Sequence, residues 1–246
     1  MKKLPQKMMR LLNITASQLI CSVYQGWILK QKSTLTTMEC GAYNGEESYL
    51  FKKNQGQFDS WFMEPVWPYF NKLKACSRHI PKSNLINAGL SDMTGETEIS
   101  QTASGWVTLA PESHDIEGKN HVVQKFTIKT YTYKDLLSFI NKKIDILILD
   151  IEGHEIKVLK SMKKEVALSL LPDILCIECH YDWKDRLEFL ENELGYKADF
   201  FYFNNCYLTR DTVLETDKDP NQIKAINEAN PEFIWQGNLV YKNHLI

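Results

Sequence analysis

No stretch of this chain is both long and apolar enough to span a bilayer. Nor is there a basic excess to draw it to nucleic acid or an anionic surface. Its 29 Lys and Arg stand against 31 Asp and Glu, a formal charge of −2, and the pI is about 6.3. The glycine fingerprints of dinucleotide and nucleoside-triphosphate sites, G-x-G-x-x-G and the P-loop, do not occur. Internal repeats, low-complexity tracts and linkers are likewise missing. Cysteine is sparse: six residues are scattered without the spacing of a disulfide framework. That pattern reads as reduced thiols and a cytoplasmic setting. One stretch, Cys176-Ile177-Glu178-Cys179-His180, imitates the C-x-x-C-H of covalent haem attachment. It ends a strand begun by Ile174 and Leu175, and alternation puts Cys176 and Cys179 on opposite faces. They read as core cysteines, and neither haem nor zinc is expected there.

The first residues share some features with a signal peptide, but are read as a helix. Lys2, Lys3, Lys7 and Arg10 precede Leu11, Leu12, Leu19 and Ile20, as in a signal peptide. But Asn13, Thr15, Ser17 and Gln18 interrupt the apolar part, and no small-residue cleavage site follows. Met8, Leu11, Leu12, Ala16, Leu19, Ile20, Val23 and Trp27 instead mark one face of a helix. Residues 1–32 are therefore expected to form an N-terminal amphipathic helix packed on the domain. A homo-oligomer contact or a membrane-surface anchor is its lesser use. Residues 33–246 are expected to form a single domain.

What is present is a core-forming chain of 246 residues, 43% hydrophobic, organised around one stretch. Ile144 to Leu149 is an almost unbroken apolar run, followed by Asp150-Ile151-Glu152-Gly153-His154-Glu155. The run reads as a strand buried on both faces, as in a sheet covered by helices. Ile156, Val158, Leu159 and Met162 then recur at helical spacing. The same strand-turn-helix alternation predicts strands at 36–40, 60–63, 85–90, 96–100, 122–130, 174–179, 196–203 and 237–241, the last two as an antiparallel edge pair. Helices are predicted at 46–52, 67–78, 133–140 and 183–194. The fold class is α/β: a doubly wound, mostly parallel sheet with helices on both faces.

Polar residues gather where these strands end, the edge at which open α/β sheets bind ligands. Gly41 and Gly45 frame a tight turn that lets a ligand approach the backbone. Glu64 ends the next strand, where a carboxylate accepts both hydroxyls of a ribose. Ser91 and Asp92 end the third, and Asp92 is placed to accept from an adenine amino group. Asp150, Glu152 and His154 follow the central strand; Glu178 and His180 follow its neighbour. Residues 101–121, around Ser104-Gly105-Trp106, are irregular and are expected to act as a lid over an acceptor. With segment 204–234 they are expected to shape the acceptor pocket.

These motifs, in this order, resemble the FkbM family of S-adenosylmethionine-dependent methyltransferases, many of which act on hydroxyls of sugars or secondary metabolites. The resemblance lies in Glu-Cys-Gly-Ala-Tyr-Asn-Gly-Glu-Glu-Ser (39–48), Met-Glu-Pro (63–65), Asn-Ala-Gly-Leu-Ser-Asp (87–92), Ile-Leu-Asp-Ile-Glu-Gly-His-Glu (148–155) and Ile-Glu-Cys-His (177–180). It covers residues 36 to 242 or so, and departs from the family at Glu39, usually Asp, and Tyr43, usually Asn. It implies the Rossmann-like class I fold with a seven-stranded sheet. S-adenosyl-L-methionine, leaving as S-adenosyl-L-homocysteine, would lie across the first strand ends. Glu39, Gly41, Ala42, Asn44 and Gly45 would then hold the methionine end, Glu64 the ribose, Ser91 and Asp92 the adenine, with Asp150 beside them.

The expected reaction is O-methylation of a sugar, glycan or small metabolite. His180 is the favoured base and Asp150 its orienter. His154 is second choice, and Glu152 with Glu155 is read as bonding turn amides. A divalent cation on Asp150, Glu152 and His180 ranks lower. Competing readings are a non-catalytic S-adenosylmethionine-binding module and another Rossmann-like enzyme, such as a dehydrogenase.

Overall fold

The computed structural model describes residues 14–102, 107–109, 122–178, 183–202 and 205–229. In order these form α1 (Ala16–Val23), α2 (Gln25–Lys30), β1 (Leu35–Cys40), α3 (Tyr49–Lys53), β2 (Phe58–Met63), α4 (Trp67–Cys76), β3 (Leu85–Ile86), β4 (Gly89–Leu90) and β5 (Gly95–Thr102). There follow β6 (Val107–Thr108), β7 (Val122–Tyr131), α5 (Tyr133–Ile140), β8 (Ile146–Leu149), α6 (Glu155–Glu165), β9 (Ile174–Glu178), α7 (Trp183–Leu194), β10 (Lys197–Tyr202), β11 (Asn205–Thr209) and α8 (Pro220–Ala229). The final strand predicted at 237–241 and the Met8, Leu11 and Leu12 part of the N-terminal helix lie outside the described residues.

β8 sits at the centre of a seven-stranded sheet ordered β10-β11-β9-β8-β1-β2-β3. All four of its residues are buried. Leu147 and Leu149 face a layer built by α5, α6 and α7, including Leu136, Val158, Leu159 and Leu190. Ile146 and Ile148 face the opposite layer, where α1, α2, α3 and α8 bring Leu19, Ile20, Trp27, Phe51 and Ile226. Burial of each such side chain contributes about 1.5–3 kcal/mol, which is why an isoleucine- and leucine-rich run takes the middle of the sheet. Helices cover both faces, as expected.

The expected mostly parallel sheet needs correction, because the sheet is mixed. β9, β8, β1, β2 and β3 run parallel, but β11 is antiparallel to both its neighbours, β9 and β10. Only two residues join β10 to β11, and a connection that short returns the chain antiparallel. The described partner of β10 is thus 205–209, and Cys206, Tyr207 and Leu208 are buried in the core. Part of the segment expected to shape a pocket builds the sheet instead.

Two other expectations change. The strand predicted over 85–90 is divided: β3 joins the main sheet, while β4 joins a second sheet ordered β4-β7-β5-β6. β5 and β7, predicted as strands, pair along this second sheet. β6, inside the region expected to be a lid, pairs with the end of β5. Residues 103–106 and 110–121, with Ser104-Gly105-Trp106, lie outside the described residues. The N-terminal helix is broken at Tyr24 into α1 and α2. The Ser17 hydroxyl accepts from the Leu50 amide (3.1 Å), and the Ser17 amide donates to the Glu47 carbonyl (2.8 Å), docking α1 beside the turn after β1. Among the described residues no helix is long and apolar enough to cross a membrane.

A buried polar latch closes the far side. Lys218, 3% exposed, donates to Asp199 Oδ1 at 2.7 Å. Asp199 Oδ2 accepts from the Tyr24 and Thr209 hydroxyls, both at 2.9 Å. One carboxylate thereby joins the helix break, two strands and the segment before α8. Lys218→Met leaves that carboxylate buried without its cation and is expected to destabilise the fold by roughly 3–5 kcal/mol. Lys197→Met removes only an exposed pair with Glu215 and should cost under about 1 kcal/mol. Urea denaturation of the two variants checks this; equal losses would contradict it.

Candidate active site

The turn after β1 is shaped by the chain's own backbone. Asp150 donates its amide to the Cys40 carbonyl (3.1 Å), bringing the end of β8 against the start of the turn. A Cβ on Gly41 would lie 1.6 Å from the Asp150 carbonyl oxygen, and its φ is +81°. Gly45, at φ +71°, has Leu73, Lys52 and Phe62 within 3.3 Å of where its Cβ would be. So both glycines are required by the fold itself, whether or not a ligand approaches. Ala42 packs into a small core with Phe62, Phe70 and Leu73. Asn44 closes the turn locally, its Oδ1 accepting from the Glu46 amide at 3.1 Å and its Nδ2 donating to the Glu46 carboxylate at 2.6 Å. Tyr43, at φ +47°, projects its ring edge-on to Tyr69 with centroids 5.0 Å apart.

Glu39 is 4% exposed, and its Oε2 accepts from the Ser48 amide at 3.1 Å. Burial pushes its carboxyl up to about 8, against the pull of the Ser48 amide and of Lys52. Glu64, also 4% exposed, ends β2. Its Oε2 accepts from the Tyr43 amide (2.9 Å) and its Oε1 from the Val66 amide (2.8 Å). Burial raises its proton affinity, and those two amides oppose the rise. Asn87 donates to the Glu64 and Pro65 carbonyls (2.8 and 3.1 Å), fixing the turn that carries this carboxylate.

At the exit of β8 the chain crowds acids. Burial, reinforced by the Glu178 and Glu155 carboxylates, holds the Asp150 carboxyl well above the usual range. Glu152 has φ +55°, and its carbonyl accepts from the Thr108 hydroxyl of β6. Glu155 bonds turn amides, as expected: its Oε1 accepts from Ile151 (3.1 Å) and Gly153 (3.2 Å). Asp150, Glu152 and Glu178 offer carboxylate oxygens all within 4.8 Å of one another, a grouping able to hold a metal ion.

Ser91, Asp92 and His154 form a separate clasp. His154 Nε2 lies 3.2 Å from both Ser91 Oγ and Asp92 Oδ1, and Ser91 donates to Asp92 Oδ1 at 3.1 Å. Both partners meet the same ring nitrogen, unlike a nucleophile-base-orienter relay, which uses both nitrogens. Burial and then the nearby Lys157 lower the proton affinity of His154, with Asp92 opposing. The clasp ties the end of β4 to the start of α6.

A cavity of about 380 Å³ opens between the carboxyl edge of the main sheet and the second sheet. Of the residues expected at the site, Gly41, Glu64, Asp150 and Glu152 line it. Glu39, Ala42, Asn44, Gly45, Ser91, Asp92 and His154 stand around it without lining it, and His180 lies outside the described residues. The sequence reading missed the apolar wall. Val66, Ile99, Val107 and Ile128 belong to one cluster, and with Leu90 and Leu109 they line the cavity alongside the acids. The buried positions of β5 and β7 were the available signal. No Lys, Arg or His lines the cavity among the described residues.

The raised Glu39 carboxyl makes stability depend on pH. Its contribution is fully present below the unfolded value of 4.5 and is lost as pH rises to about 8. Against Glu39→Gln, the wild type is expected to lose at most about 5 kcal/mol over that interval and nothing further above it. Thermal melts of both proteins across pH 4 to 9 check this, and a constant difference would contradict it.

The FkbM methyltransferase domain model matches residues 39–198. Among solved structures, the chain is similar to a ribosomal protein L11 methylase from Lactobacillus delbrueckii subsp. bulgaricus, with 10% identity, TM-score 0.39, and 79% of this chain and 78% of that one covered. It is also similar to a precorrin-6y C5,15-methyltransferase from Geobacter metallireducens GS-15, at 10% identity and TM-score 0.36, covering 74% and 82%. A third is a SAM-dependent methyltransferase from Leishmania major, at 15% identity and TM-score 0.38, covering 83% and 80%. No curated protein matches the sequence. The family match spans most of the chain and includes every strand end that lines the cavity, so the chain belongs to the FkbM methyltransferase family.

Proposed function

We propose that the cavity binds S-adenosylmethionine and that the enzyme methylates a hydroxyl of a sugar, glycan or small metabolite. The observation that carries this reading is a cavity lined both by the acids Glu64, Asp150 and Glu152 and by a cluster of apolar side chains. Glu64, at the end of β2, is held by two backbone amides and keeps lone pairs for a ribose diol. Glu152 supplies negative charge suited to the cationic sulfonium and amino groups, and the Asp150 carboxyl offers a hydrogen-bonding group beside it. Val66, Leu90, Ile99 and Ile128 offer an apolar slot for a flat base. Adenine is therefore assigned to that slot rather than to Asp92, which is engaged by Ser91 and His154.

The methyl of a sulfonium is already activated, so the protein's task is alignment, exclusion of water and removal of the acceptor proton. His180 stands two residues beyond Glu178 in the sequence, and the Glu178 charge raises the Asp150 carboxyl. On that basis we retain His180 as base and Asp150 as its orienter. His154, clasped by Ser91 and Asp92, is assigned to positioning α6. A second reading is favoured by the acid grouping: a divalent cation on Asp150, Glu152 and Glu178 would acidify the hydroxyl. Loss of methyl transfer with a chelator, restored by Mg²⁺ or Mn²⁺, distinguishes it. The cytoplasmic setting is proposed from the cysteine pattern: the sequence carries no disulfide framework, and Cys21, Cys40 and Cys76 are thiols among the described residues.

Calorimetry with S-adenosylhomocysteine tests the reading, with NAD as the competing ligand. Glu64→Ala is expected to weaken binding roughly tenfold to a hundredfold with the fold intact. Ile128→Ala should weaken it about tenfold, whereas Asp92→Asn should leave it within about twofold. A wild type that binds NAD and not S-adenosylhomocysteine would overturn the proposal. A large loss in Asp92→Asn would return adenine to that carboxylate. The acceptor class is tested by metabolite mass spectrometry of a deletion strain, in which a methylated sugar or glycan should be replaced by its unmethylated form.

A further inference from the structure

Arg186 is the largest fully buried side chain among the described residues, at 2% exposed. It sits on α7 and does not line the cavity. Its Nη1 donates to Glu155 Oε2 at 2.8 Å and to the Glu178 carbonyl at 3.0 Å. Glu155 is fully buried, and its other oxygen holds the Ile151 and Gly153 amides at 3.1 and 3.2 Å. Between those amides is Glu152, whose left-handed φ of +55° is unfavourable for a residue with a Cβ and persists only where its surroundings enforce it. One guanidinium thus fixes the end of β9 directly and the turn after β8 through Glu155. Those two chain segments carry Glu178 on one side and Asp150 and Glu152 on the other. Three acids whose oxygens lie within 4.8 Å of one another keep that spacing only if the scaffold imposes it.

We propose that Arg186, acting through Glu155, is a positioning residue that sets the spacing of the Asp150, Glu152 and Glu178 carboxylates at the cavity. The inference rests on reading this cavity as the cofactor and reaction site. A purely structural ion pair behaves differently when removed as a unit, since apolar replacement of a buried pair is often neutral or stabilising. In Arg186→Met/Glu155→Met loss of the two charges together costs little, and the melting temperature is expected to fall only through the Ile151 and Gly153 amides and the Glu178 carbonyl that lose their partners. Amide exchange at Ile151 and Gly153 should nonetheless accelerate roughly tenfold relative to Leu147. S-adenosylhomocysteine affinity should fall about fivefold or more.

Arg186→Lys keeps a charge opposite Glu155 but loses the planar guanidinium whose Nη1 meets both acceptors. It is expected to raise the same two exchange rates roughly threefold, and it carries the test if the double variant does not fold. Exchange at Ile151 and Gly153 unchanged relative to Leu147, in whichever of these variants folds, would overturn the proposal. Unchanged cofactor affinity beside faster exchange would do so too. A wild type that does not bind S-adenosylhomocysteine sinks the cavity reading instead, while the exchange rates still report on whether Arg186 holds the turn.

Discussion

The structure depends on the contact between Gly41 and Asp150. The Asp150 carbonyl occupies the place where any other residue at 41 would have its Cβ, and the Asp150 amide bonds the last carbonyl of β1. That contact brings the turn after β1 and the turn after β8 side by side at one edge. Glu64 is then fixed by the Tyr43 amide from the first turn, while Glu152 is tied to the second sheet by Thr108. The cavity is what remains between these pieces, and its outline follows from a single backbone approach that only glycine permits.

Crowding acids at that edge carries an energetic cost, and the fold meets it in three ways. Glu64 and Glu39 are held by backbone amides. Glu155 is neutralised by a buried arginine. Asp150 is left beside Glu178 with its carboxyl raised. Asp150 lies on the cavity wall. Buried structural carboxylates are usually paired or fully bonded. A carboxyl left with a raised proton affinity in a cleft is the more informative kind.

Much of this was legible in the sequence, for physical reasons. The run Ile146 to Leu149 reads as a doubly buried strand because both faces meet helices. The acids that follow it fall at a strand end because the run stops there. Other features depended on choices that spacing does not encode. Whether β10 pairs with 205–209 or with 237–241 depends on which strand fits between it and β9. Asp92 was placed at the correct strand end, but the direction of its side chain is set by His154, 62 residues away. The apolar wall escaped notice because Ile99 and Ile128 lie on strands that read as peripheral, yet form a roof. Arg186 resembles a surface charge on an amphipathic helix. Its place one turn before the buried Leu190 was the signal that it points inward.

The central claim is that adenosine lies between Glu64 and the wall formed by Val66, Ile99 and Ile128. Intermolecular nuclear Overhauser effects between bound S-adenosylhomocysteine and methyl-labelled protein test it most directly. The account predicts contacts from the adenine H2 and H8 protons to the methyls of Val66, Ile99 and Ile128. A second cavity of about 390 Å³, lined by Leu85, Ile86 and Leu136, provides the internal control. Contacts to the methyls of those three residues, with none to the first set, would contradict the account.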